Sequence, residues 1–502
     1  MTTTFEAEPG VSCSLRPHGA TQLQIKVSYP FRNLRRSRFR MDLFVVVPRQ
    51  ISITIDEHGK QTLLDDTRSN TRFTVTHMPL SVLADREHPD NPVARIIDEI
   101  QNPAKTGSLD VTRISYEMRT FCNLFTFQLK SLVRVIQQAL REERARQDGL
   151  QAGKDTIRDV KRAMSTFRDV RRMLLDPVVP DELRSAHALA DEYLGDQMVR
   201  HLLGLSTIIA REESMGKLRS QLERTVQREL AYQTERGYSA VRSDTTLPDD
   251  VPALERLIMR ESRLKKWVQS VLYMDVEESG IPRRIGHIVA SLAAATAMAV
   301  AVGAAFFADR FYASYSVPWA LLIVGSYIVK DRIKEILRGV LVRHFPIAIA
   351  DRTRILKDPA TQRRVGRARL AIRSTDGPWV PQPPQPLQRD GLLSETVVRS
   401  TVVFSSIVTL NGRRLLRSHR RVNGIMDITR IRLDKWLRDM DAPTKGIRLF
   451  LDGKTVATSG PRTYRIRIAV RLQSEDGTEG EIRHWVVVLD RDGIRRVESV
   501  AS

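Results

Sequence analysis

Apolar and polar positions change their rhythm several times along this chain. Between residues 20 and 80 the segments LQIKVSYPF, MDLFVVV, ISITI and TRFTVTHM alternate or run apolar, with turn chemistry at Asp56-Glu57-His58-Gly59. A period of two with such breaks predicts strands, and hence a β-rich domain over 1–91. From 92 to 279 the period becomes 3.6. Phe121, Leu124, Phe125, Leu129, Leu132, Val133, Ile136 and Leu140 share one face, as do Ile157, Val160, Met164, Phe167, Val170 and Leu174. Further stripes follow at Met215, Leu218, Leu222 and Val226 and from Leu254 to Leu272, so these spacings predict a bundle of amphipathic helices.

The next stretch has no polar face. Ile285 to Ala308 holds 24 residues without Lys, Arg, Asp or Glu. As a helix it extends about 36 Å, more than the ~30 Å hydrocarbon core of a bilayer. A second uncharged run of 19 residues, Phe311 to Val329, follows Asp309 and Arg310. Phe306, Phe307, Phe311, Tyr312, Tyr315 and Trp319 cluster at the connection, where amphipathic rings meet headgroups. Beyond it Ile333, Ile336, Leu337, Val340, Leu341 and Phe345 keep helical spacing among basic residues until Pro346. The pattern predicts a transmembrane hairpin with a juxtamembrane amphipathic helix over 283–345.

A basic and Pro-rich linker is expected over 346–391, its run DGPWVPQPPQPLQRDG reading as a stiff spacer. Strand patterning then returns, with hairpin dipeptides Asn411-Gly412, Asp452-Gly453 and Asp492-Gly493 and one helical stretch, DITRIRLDKWLRDMD. This predicts a C-terminal α+β domain over 392–502. In TYRIRIAVRLQ, Tyr464, Ile466, Ile468, Val470 and Leu472 mark one face and Arg465, Arg467 and Arg471 the other, which reads as open. The fold class is therefore a multi-domain α+β membrane protein: N-terminal β-rich domain, helical bundle, two-helix transmembrane hairpin and C-terminal α+β domain.

Charge sharpens this outline. The chain of 502 residues carries 80 Lys+Arg and 59 Asp+Glu, a net +21, of which +16 lies after residue 329. Arg283 and Arg284 precede the first apolar run and Lys330, Arg332, Lys334, Arg338 and Arg343 follow the second, against Arg310 alone between them. The positive-inside rule then predicts a multi-pass inner or plasma membrane protein with both termini cytoplasmic. These seven flanking residues, with Arg465, Arg467 and Arg471, are the candidate contacts for anionic lipid or another anionic ligand. Arg32, Arg35, Arg36, Arg38 and Arg40 in FRNLRRSRFR read as a solvated basic loop, with a binding patch as the alternative.

Chemistry is less legible. Two cysteines, Cys13 and Cys122, are too few for a disulfide framework and fit a reducing compartment; MTTTFEAEPG has no secretory h-region. Gly453-Lys454-Thr455 lacks the first glycine of a phosphate-binding loop, since Arg448 holds its place. No metalloprotease, nucleophile-elbow, dinucleotide-binding, EF-hand or C-x-x-C motif is present. His187, Asp191, Glu192 and His201 fall at helical spacing without the paired E-x-x-H motifs of a di-iron bundle and read as a surface pair. No cofactor, metal or catalytic residue is nominated. The sequence points to a non-enzymatic anchor, scaffold or sensor for protein partners, including further copies of itself, and for membrane lipid. A membrane-tethered nucleic-acid-binding protein and an oligomeric pore are the alternatives.

Overall fold

The computed structural model describes residues 4–8, 11–48, 59–75, 77–102, 109–139, 146–210, 215–238, 251–279, 281–313, 316–344, 350–359, 361–376, 398–419, 421–473 and 482–500. The ISITI segment and most of the turn after it lie outside these residues, as does the Pro-rich linker after Asp376. The described architecture is mixed α+β and multi-domain: a two-sheet β module, a helical bundle and a pair of long helices.

The β module uses strands from both ends of the chain. One antiparallel sheet has the order β1 (Thr4–Glu8), β2 (Val11–Pro17), β3 (Gln22–Pro30), β10 (Val422–Arg432) and β5 (Thr67–Val75). The larger, eight-stranded sheet runs β15 (Gly493–Val500), β14 (Ile482–Asp490), β13 (Tyr464–Gln473), β4 (Ser37–Pro48), β9 (Val398–Leu410), β8 (Arg364–Asp376), β7 (Arg352–Lys357) and β6 (Asp275–Glu278). Their inner faces share one core, in which Ile25, Leu43, Phe73, Phe404, Ile425 and Trp485 are buried. Each sheet therefore holds a strand from one end of the chain between two from the other, β10 between β3 and β5 and β4 between β13 and β9. The reason is visible in β4, whose run Leu43–Val47 is buried on both faces and so needs a neighbour on each side.

Local chemistry departs from the hairpin pattern at two places. Asn411 accepts a hydrogen bond from the Arg414 N–H at 3.0 Å and caps a short helix, Gly412–Ser418, so Asn411-Gly412 starts a helix instead of turning a hairpin. DITRIR belongs to β10, because β-branched Ile425, Ile428, Thr429 and Ile431 find ladder partners on both β3 and β5. Only Asp434–Arg438 of the expected helix is helical. Asp452-Gly453 does form its turn, both residues having positive φ (48° and 75°), between two fully or largely exposed strands, β11 (Thr444–Leu451) and β12 (Lys454–Pro461).

A short helix, α1 (Lys60–Asp66), packs Leu63 and Leu64 into the β core, whereas the bundle is built on helix α6 (Asp181–Ile209), preceded by α2 (Leu80–Ala84), α3 (Pro92–Gln101), α4 (Val111–Ala139) and α5 (Arg146–Leu174) and followed by α7 (Gly216–Glu235) and α8 (Val251–Gln269). Residues 190–199 of α6 are buried all round, which marks it as the central helix. The bundle docks on the β module through buried polar groups of α4. Glu117 pairs with Arg421, and Tyr116 Oη lies 3.3 Å from His419 Nδ1, whose Nε2 is 2.9 Å from Asp358 Oδ2.

Helices α9 (Ile281–Phe311) and α10 (Val317–His344) form an antiparallel pair inserted between β6 and β7. These strands are hydrogen-bonded neighbours, and the ladder continues past them with Ser279 N–H donating to the Thr353 carbonyl at 2.8 Å. Among the described residues one segment, Ala290–Phe311, is long and apolar enough to cross a membrane, with mean hydropathy 1.9. The second expected span does not reach that measure. Its helix begins only at Val317, leaving 13 uncharged residues before Lys330, about 20 Å at ~1.5 Å per residue. Nor is there a separate juxtamembrane helix, since α10 continues unbroken to His344.

Two measurable consequences follow. A fragment 392–502 lacks β4, the neighbour of both β9 and β13, and should show no cooperative unfolding by circular dichroism, whereas the full chain should. In α6, burial, with Lys130 and Arg200 nearby, pushes His201 down from 6.5 to about 4, and its Nε2 is buried without a partner. The folded state thus binds fewer protons than the unfolded chain, so stability present above pH 6.5 is lost as pH falls towards 4. His201→Gln should flatten denaturant midpoints measured across that window.

Candidate anion-binding cleft

The outer face of the large sheet, turned away from the core, is read directly from its register. Arg38, Thr409 and Arg367 lie in one row across β4, β9 and β8, and Arg40, Ile407 and Arg369 in the next. The alternation that sends Phe39, Val408 and Ala368 into the core sends these arginines outward. At the end of the rows the loop 31–36 brings Arg35 and Arg36 alongside Arg364. Together these residues line an open cleft of about 570 Å³ whose wall contains six arginines, Arg35, Arg36, Arg38, Arg364, Arg367 and Arg369, and no carboxylate.

Backbone contacts hold the cleft in shape. Phe31 N–H donates to the Asn423 carbonyl at 2.7 Å, and Arg413 N–H to the Leu34 carbonyl at 3.0 Å, fixing both ends of the arginine loop. Gly412 makes this possible: a Cβ there would lie 2.0 Å from the Arg32 carbonyl oxygen. Gly366, in the cleft wall, has the Thr409 carbonyl oxygen 2.8 Å from where its Cβ would be.

Arg367 is half-buried and its Nε is enclosed without a hydrogen-bond partner. Burial, together with Arg364, Arg369 and Arg36, lowers its pKa from the usual arginine value. Among the described residues Arg35, Arg36, Arg364, Arg367 and Arg369 form no ion pair with a carboxylate. A guanidinium held in this way favours an anion that supplies acceptors.

The neighbouring rows show the opposite arrangement. Asp42, 1% exposed, accepts from Arg471 Nη2 at 2.9 Å, Ser405 Oγ at 2.7 Å and Arg40 Nε at 3.0 Å. Arg471 is thereby committed and Arg467 is buried, leaving Arg465 as the exposed member of the expected open face. Lys330 lies over the Tyr327 ring at 3.7 Å, Arg332 is within 3.6 Å of Glu335, and Lys334 is exposed. Arg283 and Arg284 start α9 and Arg338 and Arg343 end α10, their side chains outside the described residues. None of the six candidates whose side chains are described, Lys330, Arg332, Lys334, Arg465, Arg467 and Arg471, lines the cleft. FRNLRRSRFR was its visible signal, but the matching arginines of β8 are more than 300 positions away.

The bundle contains the other dense polar cluster. Asp191 accepts from Arg168 Nε at 2.7 Å, Tyr232 at 2.8 Å and Tyr238 at 3.2 Å, and Arg168 Nη2 reaches Glu229 at 2.7 Å. Burial raises the Glu229 pKa despite Arg168. Burial opposes the charge on Arg168, yet Glu229 and Asp191 prevail and raise its pKa. His187 is also buried, stacked 4.8 Å from Phe167. The expected surface pair is thus interior, because α6 is enclosed on all sides and its acids need Arg168 and Arg260 as partners. Gly195 leaves room for them, since its Cβ would lie 2.4 Å from both Glu229 Oε1 and Gln233 Nε2. Both Asp191 oxygens and Glu229 Oε1 are occupied by protein donors, which suits a structural clamp. Among the described residues no three His, Cys, Asp or Glu side chains gather as a metal site.

Comparison with protein-family models, curated proteins and solved structures finds no match to this chain.

Removing the Asp42 carboxylate leaves Arg40 and Arg471 uncompensated on a partly buried face. Asp42→Ala should cost about 1–3 kcal/mol in denaturant unfolding. A double variant Asp42→Ala/Arg471→Met should recover part of that loss.

Proposed function

We propose that this is a non-enzymatic, membrane-anchored binding protein. The paired helices enter the bilayer from the cytoplasmic side and return to it, leaving the β module and the bundle in the cytoplasm. The observation that carries the reading is the inverted packing of the pair. Its seam is made of small residues, with Ala293 and Ala308 0% exposed, while Phe306 (74%) and Ile328 (64%) face outward. Leu292, Met298, Val300, Leu321 and Val324 are exposed as well. A water-soluble helical hairpin buries its large apolar side chains and exposes small or polar ones; lipid removes that demand and favours close contact through alanine. Lys330 on α10 reaches back over Tyr327, an arrangement suited to the interface.

In this reading the arginine cleft is the receptor surface for an anionic ligand, and the bundle offers its outer faces to protein partners. Support for one-sided topology comes from the basic residues flanking the pair and from its point of insertion between adjacent strands.

The insertion geometry gives the test. The full chain should stay with membranes through alkaline carbonate extraction. Replacing residues 281–349 by a short Gly/Ser turn joins two ends that already face each other across the Ser279–Thr353 hydrogen bond. That variant should appear in the aqueous fraction with cooperative unfolding intact. Recovery of the full chain from the aqueous fraction without detergent overturns the reading.

A further inference from the structure

We propose that the arginine cleft binds a compact anion carrying two or more linked phosphoryl groups. This deepens the reading of the cleft as an anion receptor and rests on it. Three features define the ligand. Five arginines of the wall, Arg35, Arg36, Arg364, Arg367 and Arg369, have no carboxylate partner among the described residues, so one orthophosphate leaves most of that charge unmatched. The charges are also spread out: Arg38 and Arg367 flank Thr409 on opposite neighbouring strands, about 10 Å apart at ~4.8 Å per strand. Arg367 and Arg369 are two residues apart on one strand, about 7 Å. Several phosphoryl groups in sequence engage such an array where a single one reaches only part of it. At about 570 Å³ the cleft also has the size of a small-molecule site.

Arg367 is the expected anchor. Its half-buried place on β8, with Arg369 two residues along the same strand and Arg38 across Thr409, sets it in the middle of the array. Arg35, Arg36 and Arg364 form the exposed rim and set the long-range field. Single-stranded nucleic acid is disfavoured as the occupant because, among the described residues, Phe44 on the adjoining outer face is 1% exposed and offers no stacking platform.

The same chemistry is available from a free oligophosphate or from a multiply phosphorylated lipid headgroup. The test uses the full chain in nanodiscs of phosphatidylcholine, titrated calorimetrically with inorganic tripolyphosphate and, separately, orthophosphate. Tripolyphosphate should bind saturably at one site per chain and at least about tenfold more tightly than orthophosphate, the gain from one added charge-assisted contact. Arg367→Met should weaken it by about tenfold or more with the unfolding midpoint unchanged, and Arg364→Gln/Arg369→Gln should do the same. Arg465→Gln, on the same sheet outside the cleft, should leave binding unchanged. Vesicles containing a bisphosphorylated phosphoinositide identify the source: Arg367-dependent vesicle binding that tripolyphosphate displaces assigns a lipid headgroup, and its absence assigns a free anion.

Equal affinity for orthophosphate and tripolyphosphate, both lost in Arg367→Met, overturns the ligand class and leaves the anion receptor standing. Tighter binding of an oligothymidylate than of tripolyphosphate overturns it in favour of nucleic acid. No saturable anion binding, or equal weakening by Arg465→Gln, removes the receptor reading as well.

Discussion

Everything in the β module depends on β4 having a partner on both sides. It is contributed by the first 50 residues, yet its neighbours β9 and β13 lie beyond residue 397. A strand buried on both faces cannot leave either edge of its ladder unsatisfied, so the two ends of the chain are obliged to meet. The same logic places β10 between β3 and β5. The bundle and the helix pair are then loops of this sheet system in a topological sense, one leaving from β5 and returning at β6, the other leaving from β6 and returning at β7.

How much of this was legible in the sequence depended on the range of the determining contact. Periods of two and 3.6 located β3, β4, β5 and the long helices, because amphipathic patterning is a local record of which face is buried. Which strands are neighbours is not local, and the alternation in Tyr464–Leu472 is silent about β4 lying beside it. DITRIRL shows how such contacts override a helical appearance, since ladders on two sides are worth more than the helical spacing of its isoleucines. Asn411-Gly412 fits a hairpin and a helix cap equally well until the Arg32 carbonyl is seen pressing on Gly412.

Charge separates into two populations. Interior acids are each matched: Asp42 by Arg40 and Arg471, Asp191 and Glu229 by Arg168, and Glu117 by Arg421. These pairs hold particular strands and helices in register and leave little for a ligand to do. Arg35, Arg36, Arg364, Arg367 and Arg369 are concentrated in the cleft without such partners among the described residues, and the cost of their mutual repulsion is borne by a rigid sheet. Counting basic residues along the chain cannot tell these populations apart; only the row positions of Arg38, Arg367 and Arg369 can.

The ladder that joins Asp42 to Ser405 closes over 363 positions, and this distance sets an order of events during synthesis. The ribosome delivers β4 first and β9 only after the bundle and both long helices are complete. Until then the nascent amino-terminal strands present open edges, the kind of surface that recruits wrong neighbours. The last hundred residues act as the clasp of the whole molecule, and premature termination anywhere before them leaves the oldest part of the polypeptide without a fold to join.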